Sequence, residues 1–248
     1  MHHNVSRFAF VVVLGAAIAP SNVNANSNVV RVAVYRGPAS CDDCSETAKK
    51  AIESLGAKYR VDFVGATEKI DITSANLSLY DVYVQPGGGQ DIPAAFNSLG
   101  DKRVEAIQRY VASGGRYLGL CMGAYLASGS GFGLVQQELD SEIGRPGFSV
   151  KTIDSTAIRV RWAGKSEPMF YQDGPYMMKA KGDPGFRSIA TYQNGDIAAA
   201  RYSFGKGVVV LSGPHPEADK SWFEEAGMPL EKAPDNKILM SLFKELDR

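Results

Sequence analysis

The stretch "GGRYLGLCMGAYLAS", residues 114–128, decides the fold. Two glycines end one element, RYLGL (116–120) is a short apolar strand, and MGAYLAS opens a helix. Between strand and helix stands Cys121, with Gly119 two residues before it and Gly123 two residues after. A nucleophile on a tight strand-to-helix turn adopts strained backbone, and small flanking residues give it room. The turn also sets the sulfur at a helix N-terminus, where free N–H groups and the helix dipole favour thiolate. The backbone N–H of Met122 is then an oxyanion donor. A structural cysteine in a crowded turn satisfies the same pattern, so its partners have to come from elsewhere in the chain.

Working outward, VVRVAVY (29–35), YRVDFVG (59–65) and YDVYVQPGGG (80–89) read as further strands. SETAKKAIESLG reads as a helix capped by Ser45 and closed by Gly56, and residues 101–115 as an amphipathic helix stopped by Gly114 and Gly115. Strand and helix alternating at this spacing predict an α/β doubly wound, mostly parallel sheet. From about residue 130 the texture becomes β-rich: FSVKTI, AIRVRWAG, PMFYQDGPYMM and the run from FRSIATY to GVVVLSG are strand-like, with hairpin turns at QNGD and FGKG. This predicts a β-rich insertion that returns to the main sheet through residues 207–213, followed by helices near 218–226 and 235–247.

At the amino terminus, Arg7 precedes the apolar run FAFVVVLGAAIA, which breaks at Pro20 and leads into a small-x-small pattern at Val23 and Ala25. This predicts a signal peptide over residues 1–25, a single domain over 26–248, and an exported protein, periplasmic or secreted. The run falls short of the roughly 20 residues of a comfortable membrane span, so no stable membrane insertion is expected after cleavage. The 27 basic and 27 acidic residues cancel, which leaves no electrostatic footprint for nucleic acid. Oligomeric state leaves no trace in the sequence. Of three histidines, His2 and His3 precede the predicted cleavage site, so His215 is the one imidazole beyond it. That excludes a histidine-rich metal site, and no metal or other cofactor is expected.

Two motifs supply candidate partners for Cys121. PGGG (86–89) ends a strand on the carboxyl edge of the sheet, where ligands gather, and Gly88 is the best second oxyanion donor. SGPHPEAD (212–219) follows another buried strand to the same edge. His215 and Glu217, two apart in extended chain, point the same way, so the carboxylate can orient the imidazole and stabilise its charge.

The segments VYRGPAS, PGGGQDIP, GGRYLGLCMGAYLAS, FYQDGPYM and GPHPEAD, in this order, are similar to the amidotransferase-like domain at the amino terminus of biotin-protein ligases, within the class I glutamine amidotransferase-like superfamily. Bacteria have stand-alone relatives of that domain. The resemblance spans roughly residues 29–217. It implies a flavodoxin-like sheet with a catalytic triad of Cys121 as nucleophile, His215 as base and Glu217 as orienter. It also implies a pocket lined by Tyr171, Asp173 and Tyr176; Tyr125, which follows the turn, joins this set. It does not imply biotin ligation, because the ligase catalytic domain has no counterpart here. Nor does it imply ammonia delivery, because nothing in these residues could receive ammonia.

The remaining thiols form CDDC, Cys41 and Cys44, at the start of a helix. In an exported protein a small-loop disulfide is the default reading, with a redox or metal-binding pair as the alternative. Pairing them leaves Cys121 as the free thiol. The first functional expectation is a hydrolase acting on an amide-type bond of a small-molecule or peptide substrate. A catalytically silent binding domain of the same fold is the alternative, and a thiol-redox or stress protein is a third.

Overall fold

The computed structural model describes Met1, residues 29–233 and residues 236–247. Apart from Met1, the predicted signal peptide lies outside the described residues. Strands β1 (Val30–Tyr35), β2 (Tyr59–Val64), β3 (Val82–Gln85) and β4 (Arg116–Leu120) alternate with helices α1 (Cys44–Ser54), α2 (Ser74–Leu77), α3 (Ile92–Leu99) and α4 (Asp101–Ala112). Helix α5 (Met122–Leu126) follows β4. A strand-rich segment then runs through β5 (Asp140–Ser141), β6 (Thr156–Trp162), β7 (Lys165–Tyr171), β8 (Pro175–Tyr176), β9 (Arg187–Thr191) and β10 (Ile197–Phe204) to β11 (Gly207–Ser212). Helices α6 (Lys220–Glu225) and α7 (Asn236–Leu246) come last.

Nine strands form one sheet in the order β2-β1-β3-β4-β11-β10-β9-β6-β7. The first five are parallel, and the insertion continues the same sheet antiparallel through β10, β9, β6 and β7. This is the flavodoxin-like α/β sheet with a β-rich insertion that the sequence predicts. Side chains alternate across the parallel strands. Val32, Val34, Val82, Val84, Leu118 and Leu120 face one core with α1 and α7. Tyr35, Tyr83 and Tyr117 face the other, with α3, α4 and α5. Both faces are covered, so the central strands read as continuous apolar runs.

Three local expectations change. Ser45 is not the cap of α1: Asp43 precedes the helix, and the buried Ser45 hydroxyl donates to the Tyr35 carbonyl at 2.8 Å, pinning the helix to β1. FSVKTI forms no strand, because Phe148 packs edge-on against Tyr171 and Tyr192, at ring centroid distances of 5.3 and 5.4 Å, instead of joining a ladder. Helix α3 was not expected, although its signal is present: the Asp91 carboxylate accepts from the Ala94 N–H at 2.9 Å, and Pro93 sits in the first turn.

One buried carboxylate stands out in the insertion. Glu142 is fully buried; one oxygen accepts from Asn194 Nδ2 at 2.7 Å and the other has no hydrogen-bond partner. Burial, followed by the Asp196 charge, outweighs Asn194 and Arg145 and raises its pKa to about 7. An unfolded glutamate titrates near ~4.3. The native state therefore holds a proton that the unfolded chain gives up, and stability falls as pH rises between those two values. Glu142→Gln should raise Tm at pH 8 and leave it nearly unchanged at pH 4, below the unfolded value. A gain of about 1–3 kcal/mol is expected, readable by thermal melts at the two pH values.

Candidate active site

Cys121 stands between β4 and α5 with φ +50°, a conformation that costs a non-glycine residue on the order of 1–3 kcal/mol. Its N–H donates to the Ser212 carbonyl of β11 at 2.8 Å. The flanking glycines are sterically required. A Cβ on Gly119 would lie 2.4 Å from the Gly123 carbonyl oxygen, and one on Gly123 would lie 2.1 Å from the Gln85 carbonyl oxygen at the end of β3.

β11 ends at Ser212, and three residues later His215 enters the same edge. Its N–H donates to the Phe170 carbonyl of β7 at 3.0 Å, and just past the end of that strand the Gln172 carbonyl accepts from Cys121 Sγ at 3.5 Å. Residues 170–172 thus brace both groups. His215 Nδ1 and Glu217 Oε1 lie 2.8 Å apart. All three side chains are almost closed to solvent, with exposures of 6 % for Cys121, 4 % for His215 and 2 % for Glu217. Burial is the largest influence on the His215 ring and disfavours its charge. The influence of Cys121 and of Glu217 on the ring outweighs it, and the pKa is raised to about 10. The imidazole is therefore protonated at neutral pH and can give a proton to a leaving group.

The glycine loop divides its work. A Cβ on Gly87 would sit 2.7 Å from His215 Cε1 and 3.4 Å from Cys44 Sγ; one on Gly88 would sit 2.4 Å from Met122 Sδ. Gly88 and Met122, the proposed oxyanion donors, are therefore adjacent. The role of Gly87 beside the imidazole is not singled out by the sequence, where three glycines in a row look alike. Cys41 and Cys44 are joined in a disulfide, and the Cys41 N–H donates to the Gly87 carbonyl at 3.2 Å, so the disulfide loop leans on the site. Among the described residues, Cys41, Asp43 and Cys44 are the one trio whose ligand atoms could hold a metal, and the disulfide occupies two of them.

Two cavities flank these groups. One, of about 420 Å³, is lined by His215, Gly88, Phe170, Trp222 and the disulfide among others. The second, of about 200 Å³, is lined by Cys121, Met122, Tyr125 and Asp173. Of the aromatic residues expected to line a pocket, Tyr125 does so, and its hydroxyl donates to the Asp173 carbonyl at 3.0 Å. Tyr171 is instead buried in the core with its hydroxyl on the Gly174 carbonyl, and Tyr176 stacks beneath Arg145; neither lines these cavities. Phe170 and Trp222 take their place. The ring of Trp222 lies edge-on to His215 at 5.2 Å, and its Nε1 donates to Asp43 at 2.7 Å. Phe170 precedes Tyr171, the residue the resemblance implies, and along a strand neighbours face opposite sides.

Two measurements probe this geometry. Gly87→Ala should displace the imidazole or the disulfide loop and lower Cys121 reactivity about tenfold or more while the fold survives, as followed by alkylation rate and circular dichroism. The raised His215 pKa adds stability that is complete below the ordinary imidazole value of ~6.5 and is lost as pH climbs through about 10. Cys121→Ala removes the larger of the two raising influences. The fall in Tm between pH 7 and pH 10 should accordingly be shallower in that variant than in the parent.

Residues 30–132 match the family described as biotin-protein ligase, N terminal. No curated protein matches the chain. Among solved structures, a chain of PurLQS from Thermotoga maritima is similar at a TM-score of 0.58 and 18% identity, covering 88% of this chain and 99% of that one. A GMP synthase subunit from Thermoplasma acidophilum is similar at 0.55 and 12%, covering 88% and 94%. A ThuA-like protein from Bacteroides uniformis is similar at 0.52 and 11%, covering 92% and 95%. The family match covers residues 30–132, and the fold that contains them is similar to that of these solved structures.

Proposed function

We propose that this chain is an exported Cys–His–Glu hydrolase that cleaves an amide-type bond of a small molecule or peptide. The observation that carries the reading is the convergence of Cys121, His215 and Glu217 on one edge of the sheet, with Glu217 Oε1 2.8 Å from His215 Nδ1. Cys121 sulfur attacks the amide carbonyl, and the backbone N–H groups of Met122 and Gly88 hold the oxyanion. The carbon–nitrogen bond breaks as His215 gives its proton to the departing amine, leaving a thioester on Cys121. Water then attacks the thioester while His215 takes its proton; the acid leaves and the thiol is restored. Export is supported by the leader-like sequence at residues 1–25 and by the Cys41–Cys44 disulfide, a bond that persists in oxidising compartments.

Intact-mass analysis of iodoacetamide-treated protein provides the test. A single adduct should form rapidly at Cys121, on the order of 10²-fold slower in His215→Ala, and Cys121→Ala should abolish release of amine from an amide library. Labelling at the rate of an ordinary thiol would defeat the hydrolase reading. Ligand held by Cys121→Ala, with no turnover by the parent, would point instead to a silent binding domain.

A further inference from the structure

Apart from the catalytic imidazole, the charged side chains that line the two cavities around Cys121 and His215 are of one sign. In the larger cavity they are Asp43 and Glu225, and in the smaller Asp140 and Asp173; neither cavity presents a lysine or arginine. This is a local property, because the chain as a whole is balanced at 27 basic and 27 acidic residues. Three other surface cavities mix signs, as with Lys181 and Asp183, Arg109 and Asp81, or Arg159 and Asp154. No ion pair among the described residues uses any of the four acids.

The larger cavity adds two aromatic walls. Phe170 and Trp222 meet edge-on at 5.2 Å, both almost fully buried, and Asp43 is fixed against Trp222 by the 2.7 Å bond from the indole N–H. Carboxylates that no lysine or arginine neutralises attract organic cations, and aromatic rings beside them add to that attraction. An anionic group would meet repulsion from both acids there. The volume of about 420 Å³ falls at the lower end of the range of small-ligand sites, roughly 300–1,000 Å³.

Resting on the hydrolase reading above, we propose that the substrate is an amide whose amine portion carries a positive charge, with that portion seated between Phe170, Trp222, Asp43 and Glu225. His215 lines this cavity and Cys121 the other, so a scissile bond lying between them sends the acyl group past Tyr125 and the departing amine past His215. The cationic tail then lies on the side that receives the proton.

Three amides of matched length separate charge from shape: N-(4-aminobutyl)acetamide, N-butylacetamide and 4-acetamidobutanoate. Binding is measured calorimetrically on Cys121→Ala, which cannot turn them over, and acetate release is measured on the parent. The cationic amide should bind about tenfold tighter than the neutral one, with the anionic one weakest. The preference should shrink several-fold in Glu225→Gln, a change at an exposed position that leaves the fold intact, and further in Asp43→Asn. It should also weaken with added salt. Absence of a preference, undetectable binding of all three included, overturns the proposal, as does a preference that survives both substitutions. The two readings fail separately. Selective binding of the cation without acetate release defeats the hydrolase and keeps the cation site; acetate release without charge preference does the reverse.

Discussion

The site depends on one turn. At Cys121 the chain passes from strand to helix at positive φ, and it can do so only because three backbones approach each other where a Cβ would not fit. Gly119 lies against the Gly123 carbonyl, and Gly123 against the Gln85 carbonyl of the neighbouring strand. Gln85 then extends the constraint: its buried side chain donates to the Ala39 carbonyl at 2.9 Å and accepts from the Tyr83 hydroxyl at 2.7 Å. The thiol turn, the end of β3 and the loop leading to the disulfide are thus one packed unit. The cost of the strained residue is spread over hydrogen bonds and packing that exist for the whole sheet.

Burial governs the chemistry that this turn makes available. A protonated imidazole in a nearly closed site is unfavourable by itself, and the influence of Cys121 and Glu217 offsets that cost. Glu217 satisfies His215 with one oxygen, while its other oxygen is buried without a partner. A group so placed holds its neighbour firmly, since neither can turn to water. Phe170 and Trp222 stand edge-on to the ring and help to bury it, which strengthens the electrostatics around it.

Much of this was legible in the residues themselves. The apolar runs of β1, β3, β4 and β11 announce strands covered on both faces, and the GLCMG turn announces its own steric demands. His215 and Glu217 were legible as a pair from their spacing of two, although the chain turns after His215 instead of running extended. Phe148 misled because an apolar residue in a β-like run can serve a cluster of aromatic rings as well as a ladder. Ser45 misled because a serine near a helix start can cap it or, as here, bond backward to the preceding strand. Tyr171 and Phe170 differ by one residue and therefore by one face of the sheet, a choice set by strand register and not by composition.

The sequence by itself determined the alternation of strands and helices, the thiol turn and the residue types that meet at the sheet edge, because these follow from local periodicity and from the space glycine leaves. Only the tertiary structure decided that Gly87 carries the imidazole and Gly88 the helix start, that the disulfide and Trp222 wall the larger cavity, and that all the fixed side-chain charges lining the two cavities are acidic. Those relations join residues 41–44, 87–89, 121, 170–173 and 215–225, which no local pattern connects. They come into contact because five parallel strands end on one edge.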